Sequence, residues 1–188
     1  MVTSKKAMKQ ANIRFTYSDY LLLPEDKRYE ILDGELYMVP APNIKHQRLS
    51  KRLETILIHQ VESGGLGEIF HAPCDVILSD ENVVQPDIFV VRKERAGIVG
   101  EKNIQGAPDI VIEILSEGTR RKDLMIKSKI YAGFGVAEYW IIDPEADTAE
   151  VFVLRETGYV TAGLYGKSDR LSSPMLPDLN LALSEIFP

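Results

Sequence analysis

The stretch from Pro108 to Ser116, PDIVIEILS, constrains this chain more than any other. Five of its nine residues are Ile, Val or Leu, the composition of a strand buried within a sheet. Yet Glu113 stands in the middle of it. An ionised carboxylate is costly to bury without a partner. Glu113 must therefore lie at an edge or cleft, or meet a positive group. Residues two apart in a strand share a face, so Asp109, Val111, Glu113 and Leu115 point the same way.

Asp87 is a second carboxylate inside an apolar β run, directly after Pro86 in VVQPDIFVV. The polar stretch over residues 92–107 is long enough to let the two strands lie side by side. Two acids brought together in a sheet repel each other. A divalent cation removes that repulsion, and Mg²⁺ takes one or two protein carboxylates together with waters and phosphate oxygens. Asp109 competes with Asp87 for this role, but it would put both acids on one strand. The helix expected over TRRKDLMIKSKIYAGFG carries Lys127 three residues after Leu124, three before Ile130 and four before Tyr131. That spacing sets Lys127 on the apolar stripe facing the sheet, and Lys129 toward water. Lys127 is thus the positive partner that Glu113 requires. The plainer alternative for it is a helix ion pair with Asp123, four residues earlier.

The rest of the chain reads as a mixed α/β or α+β sheet with helices packed on it. Thr16 and Asp19 mark a short helix start. Asp33-Gly34 joins two strand-like runs in RYEILDGELYMV, a hairpin signal. Apolar residues recur at helical spacing from Ile44 to Val61. Two β-rich runs follow, EIFHAPCDVILS and NVVQPDIFVVR, and three more strands lie after the Lys127 helix. Tyr131, Tyr139 and Trp140 read as core aromatics. Arg120, Arg121 and Lys122 form a basic run at a helix start, either a solvated face or a hold on nucleic-acid phosphates.

The 188 residues suit one domain over residues 15–188, preceded by a flexible polar arm over residues 1–14. The net charge of -6 does not advertise nucleic-acid binding, though a local basic patch can override it. The single cysteine, Cys74, leaves no disulfide framework or cysteine zinc site within the chain. No stretch has the form of a signal peptide or a membrane span. A soluble cytoplasmic protein is the expectation.

Asp87, Glu113 and Lys127 together resemble the PD-(D/E)XK nuclease superfamily. The usual lysine position, two residues after the second acid, holds Leu115 here. Some families of the superfamily take the lysine from the following helix, where Lys127 lies. The chain more closely resembles the Uma-type restriction endonuclease family, formerly a domain of unknown function. The likeness runs through FTYSDYLLLPEDKRYEILDGELYMVPAP, HQRLSKRL, QPDIFVV and PDIVIEILSEGTRRKDLMIKSKIYAGFGVAEYWIIDP, from about residue 15 to 185. It implies a restriction-endonuclease-like core: a central mixed β-sheet flanked by helices, with extra β-hairpins. It also implies Mg²⁺-dependent (or Mn²⁺-dependent) hydrolysis of DNA phosphodiester bonds. Carried over to this sequence, the metal-binding acids are Asp87 and Glu113, with Glu30 as a further metal or water ligand. Lys127 orients or activates water, and His46 and Gln47 match the family's HQ pair. Beside such a site, His46, Gln47, Arg120, Arg121 and Lys122 become contacts to nucleic acid. Cutting both strands of a duplex needs two sites, which points to a homodimer. Two other readings stand: a nuclease-fold module that binds nucleic acid or protein with weak or lost catalysis, and a phosphodiesterase acting on RNA or a small nucleotide.

Overall fold

The computed structural model describes residues 13–24 and 26–187. The arm expected over residues 1–14 falls outside them apart from its last two residues. Arg14 there donates from Nε to Glu81 Oε1 at 2.8 Å. Thr16 and Asp19 cap helix α1 (Tyr17–Tyr20) reciprocally: each side chain accepts from the other's backbone N–H. Strands β1 (Arg28–Leu32) and β2 (Glu35–Val39) form the expected hairpin. Both turn residues have positive φ, Asp33 at 50° and Gly34 at 76°, as a tight two-residue turn demands.

The two β-rich runs that follow do not remain whole. Each breaks at a proline, Pro73 or Pro86, because proline has no N–H for a ladder. They yield β3 (Gly67–His71), β4 (Val76–Ser79), β5 (Asn82–Val84) and β6 (Ile88–Arg92). The polar stretch over residues 92–107 holds a 3₁₀ helix, Lys93–Ile98, and the short strand β7 (Ile104–Gln105). Then come β8 (Ile110–Ile114), β9 (Glu138–Asp143), β10 (Thr148–Arg155) and β11 (Gly158–Gly166). The smaller sheet has the order β2-β1-β5-β4-β7, and the larger β11-β10-β9-β8-β6-β3. Both of these sheets are mixed, and a third, of two short antiparallel strands, pairs Arg170–Leu171 with Leu181–Ala182. A terminal helical turn, Leu183–Ile186, closes the chain's fold against helix α2 (Ile44–Leu57). Among the described residues no helix is long and apolar enough to cross a membrane.

The larger sheet positions the site. β6 and β8 pair antiparallel, with Ile88 opposite Ile112, so the start of β6 and the end of β8 share one edge. β8 and β9 pair parallel, and the helical segment over residues 120–134 makes the crossover between them. Alternation divides the core. Ile110, Ile112 and Ile114 pack with Leu49, Leu53 and Leu57 of α2, whereas Val111 and Leu115 pack with Ile130 and Tyr131 of the crossover helix. Glu113 has the parity of Val111 and Leu115, and so faces the crossover helix.

That helix is not uniform. Arg120–Lys122 is α-helical, Asp123–Lys127 opens into a wide π turn, and Ser128–Phe134 returns to α. Gly135, at φ 84°, ends it in the left-handed conformation, while Gly133 lies within it. The wide turn alters the expected inward stripe. Lys127, Ile130 and Tyr131 are buried, but Leu124 is exposed and Asp123 takes the buried place.

Candidate active site

A cavity of about 220 Å³ opens where the two sheets, α2 and the crossover helix meet. Glu30, Asp87, Glu113 and Asp123 line it, together with Lys122 and Lys127. Glu30 comes from β1 in the smaller sheet. Asp87 lies immediately before β6, and Glu113 on β8. The remaining three come from the crossover helix.

Lys127 is the hub. Its ammonium lies 2.7 Å from Glu30 Oε1, 2.9 Å from Glu113 Oε1 and 3.7 Å from Asp123 Oδ1. Tyr131, one turn on, donates its hydroxyl to the same Glu113 oxygen at 2.7 Å. Lys122 Nζ donates to Glu30 Oε2 at 2.9 Å, and the Gln85 backbone N–H to Glu30 Oε1 at 3.0 Å. At the more open side, Asp87 Oδ2 accepts from the backbone N–H of Ile114 at 2.8 Å and lies 3.0 Å from His46 Nε2. His46 is placed by the first turn of α2, whose N-cap Asn43 accepts from the His46 N–H. The ladder between β6 and β8 brings Ile114 to Asp87, and with it Glu113.

Four carboxylates face two lysines, and the imbalance shows in their proton affinities. Burial pushes Glu113 up, to about 8; Lys127 opposes this, while Asp123, Asp87 and Glu30 add to it. Burial likewise raises Asp123. Burial also acts on Glu30, but Lys127 and Lys122 outweigh it and hold that carboxyl below its usual range. Burial works to lower the pKa of Lys127; Glu113, Glu30 and Asp123 more than compensate and hold it well above the ordinary value. Lys127 therefore stays cationic.

The donor set fits a hard divalent ion in chemistry. Every anionic group is a carboxylate oxygen, negative charge exceeds positive, and Asp123 Oδ1 is buried with no hydrogen-bond partner among the described residues. In geometry the cluster is drawn around the ammonium of Lys127. Among the described residues, no three His, Cys, Asp or Glu side chains converge in a metal-binding group.

Of the residues singled out in the sequence, Asp87, Glu113, Lys127, Glu30, His46 and Lys122 meet at this cavity. Lys122 does so by turning inward onto Glu30, not outward as a member of a basic run. Arg120 lies at the neighbouring hollow, pairing with Asp143 at 2.8 Å. Arg121 and Gln47 are exposed and lie outside the cavity wall. Asp109 is directed elsewhere: it accepts from the Arg92 N–H and pairs with Arg95. Two residues exceed their sequence reading. Asp123 is part of the cluster as well as the helix partner of Lys127, and Tyr131 reaches Glu113 as well as filling core. Both stand four residues from Lys127, a spacing that signals a shared helix face.

The family model described as "Uma2: Putative restriction endonuclease" matches residues 17–184. Among solved structures, the chain is similar to a crystal structure titled as a "putative nuclease belonging to DUF820" from Anabaena variabilis ATCC 29413. The TM-score is 0.78 at 22% sequence identity, over 92% of this chain and 97% of that one, which establishes a common fold. No curated protein matches.

Proposed function

The chain belongs to the Uma2 family, and from that premise we propose that it is a metal-dependent endonuclease that hydrolyses phosphodiester bonds in double-stranded DNA. The observation that carries this reading is the meeting of Glu30, Asp87, Glu113 and Asp123 with Lys122 and Lys127 at one cavity. Asp87 and Glu113 would hold Mg²⁺ or Mn²⁺, with Glu30 as a further ligand directly or through water. Bound there, the ion supplies Lewis-acid polarisation of a phosphate oxygen and a more acidic water.

The chain's own groups do the rest. Lys127, held protonated by its carboxylates, donates to the attacking water or to a phosphate oxygen; it orients and stabilises charge, and does not act as the base. His46, at 3.0 Å from Asp87, fixes the rotation of that carboxylate. Tyr131 does the same for Glu113. Arg121 and Gln47, both exposed, would meet phosphates beyond the cavity wall, and Arg120 would do so on leaving Asp143. Two copies would bring two sites to the two strands of a duplex.

The deciding experiment is cleavage of supercoiled plasmid in Mg²⁺ or Mn²⁺ by the wild type and by Asp87→Ala. Cutting by the wild type alone supports the reading. Cutting by both removes Asp87 from the machinery. The ion pairs that already close around Lys127 favour one alternative, a nuclease-fold module that binds nucleic acid or protein with little catalysis. Binding without cutting in either metal would select it.

A further inference from the structure

We propose that the exposed face of α2 is a track for the sugar-phosphate backbone of DNA, leading away from the cavity; this rests on the nuclease reading and extends it to how the duplex is held. The helix starts at the cavity, since Asn43 and His46 form part of its wall. His46, Leu49, Leu53 and Leu57 are its buried face. The opposite face carries Lys45, Arg48, Lys51 and Arg52, all exposed. The eight residues KHQRLSKR from Lys45 to Arg52 contain no acid, in a chain with 28 acidic against 22 basic residues. Glu54, the one acid on the helix, is turned to His71.

These cations follow a furrow. A hollow of about 500 Å³ shares Asn43 and His46 with the cavity and reaches Lys45. A second, of about 270 Å³, runs from Lys45 to Arg48 and Arg52. A third, of about 510 Å³, continues past Lys51 to Thr55. The acids on these walls are Glu117, Asp143 and Glu145 in the first and Glu185 in the third. Asp143 is engaged by Arg120, and Glu145 by Lys45 at 3.0 Å. Arg52 donates to the Ile186 carbonyl at 3.1 Å. Arg48 and Lys51 have no acidic partner within ion-pair distance among the described residues.

The spacing suits a nucleic-acid strand. Lys45 to Arg52 rises about 10.5 Å at 1.5 Å per residue, close to three base-pair steps of about 3.4 Å along the duplex axis. A second copy of this chain is the competing occupant. A two-fold contact would set this cationic face against itself, which disfavours it.

The test is the salt dependence of binding to a short fluorescent duplex, with Ca²⁺ in place of Mg²⁺. It compares the wild type with the triple variant Lys45→Gln, Arg48→Gln, Lys51→Gln. A control triple, Lys93→Gln, Lys102→Gln, Arg155→Gln, removes equal charge from other exposed segments. Arg52 is spared because it supports the terminal turn, and thermal melting verifies that each variant folds. Each lost phosphate contact lowers the slope of log K against log salt by about 0.9, so the α2 triple is expected to lose about 2.7 and the control nothing. Arg48→Gln alone, the most conservative probe, is expected to lose about 0.9. An α2 triple that matches the wild type overturns the track while leaving the nuclease reading intact. Equal losses in both triples overturn it too, since they mean that position is irrelevant. A wild type that neither binds nor cuts any duplex sinks the nuclease reading and this inference together. If instead sedimentation shows the wild type dimeric and the α2 triple monomeric, with equal slopes, the face belongs to a second copy.

Discussion

The ammonium of Lys127 lies 2.9 Å from Glu113 Oε1, with both side chains buried and the two residues 14 positions apart in the chain. That pair answers the question posed by a carboxylate inside an apolar strand. It also fixes what should happen when either half is removed.

Lys127→Met is expected to destabilise the metal-free protein by about 3–5 kcal/mol, because Glu30 and Glu113 are left buried without their shared cation. Denaturant unfolding at about pH 9, above the Glu113 value of about 8, measures it. Adding Glu113→Gln to that variant should recover part of the loss. A double variant no better than the single would mean that Glu113 is not the group left stranded.

Tyr131→Phe removes the one other donor at that Glu113 oxygen among the described residues. Near neutral pH Glu113 keeps its proton, and a hydrogen bond between neutral groups is worth about 0.5–1.5 kcal/mol; a loss of this size is expected with an unchanged denaturant slope. A loss below a few tenths of a kcal/mol would show that the hydroxyl contributes only packing.

Stability of the metal-free protein should fall as pH rises. Glu113 titrates at about 8 in the fold against an ordinary value of 4.5. Between those values the folded chain keeps a proton that the unfolded chain has released. The contribution is therefore complete below 4.5 and lost as pH climbs through about 8, by up to about 1.4 kcal/mol per unit. Melting temperatures across this range should slope downward for the wild type and less so for Glu113→Gln. Mg²⁺ should stabilise most at the high end, where Glu113 is already deprotonated. Parallel slopes for wild type and Glu113→Gln would assign the pH dependence to other groups.

Glu138 is a buried carboxylate of a different kind. It accepts from the Trp140 indole, the Ser173 hydroxyl and the Met175 N–H, tying β9 to the segment before the terminal turn. Glu138→Ala should expose residues near 172–178 to limited proteolysis while leaving any metal-dependent cutting by the folded fraction unchanged. Intact protection of that segment would mean its apolar contacts alone secure it.

Much of this arrangement was legible in the sequence for local reasons. The period of two in PDIVIEILS set Glu113 on the helix-facing side of β8, and Asp33-Gly34 specified its own turn. Lys127 could be turned inward by counting residues along a helix. Glu30 and His46 entered by resemblance, because their place at the cavity depends on sheet order and on where α2 begins, neither of which is a local property. The splitting of two β runs between sheets was hidden in Pro73 and Pro86, each readable as a mere pause. Asp123 was hidden because regular helix geometry gives its inward place to Leu124.

The wide turn from Asp123 to Lys127 bears on how sites of this kind can be found. A π turn accommodates a residue that a regular helix would not, and leaves the helix on either side undisturbed. The number of residues separating acid from lysine is then free to vary by one while the ammonium stays at the same point. A search that counts letters between the two would pass over such a chain. One that asks which cation arrives at a given spot beside the strand would find it.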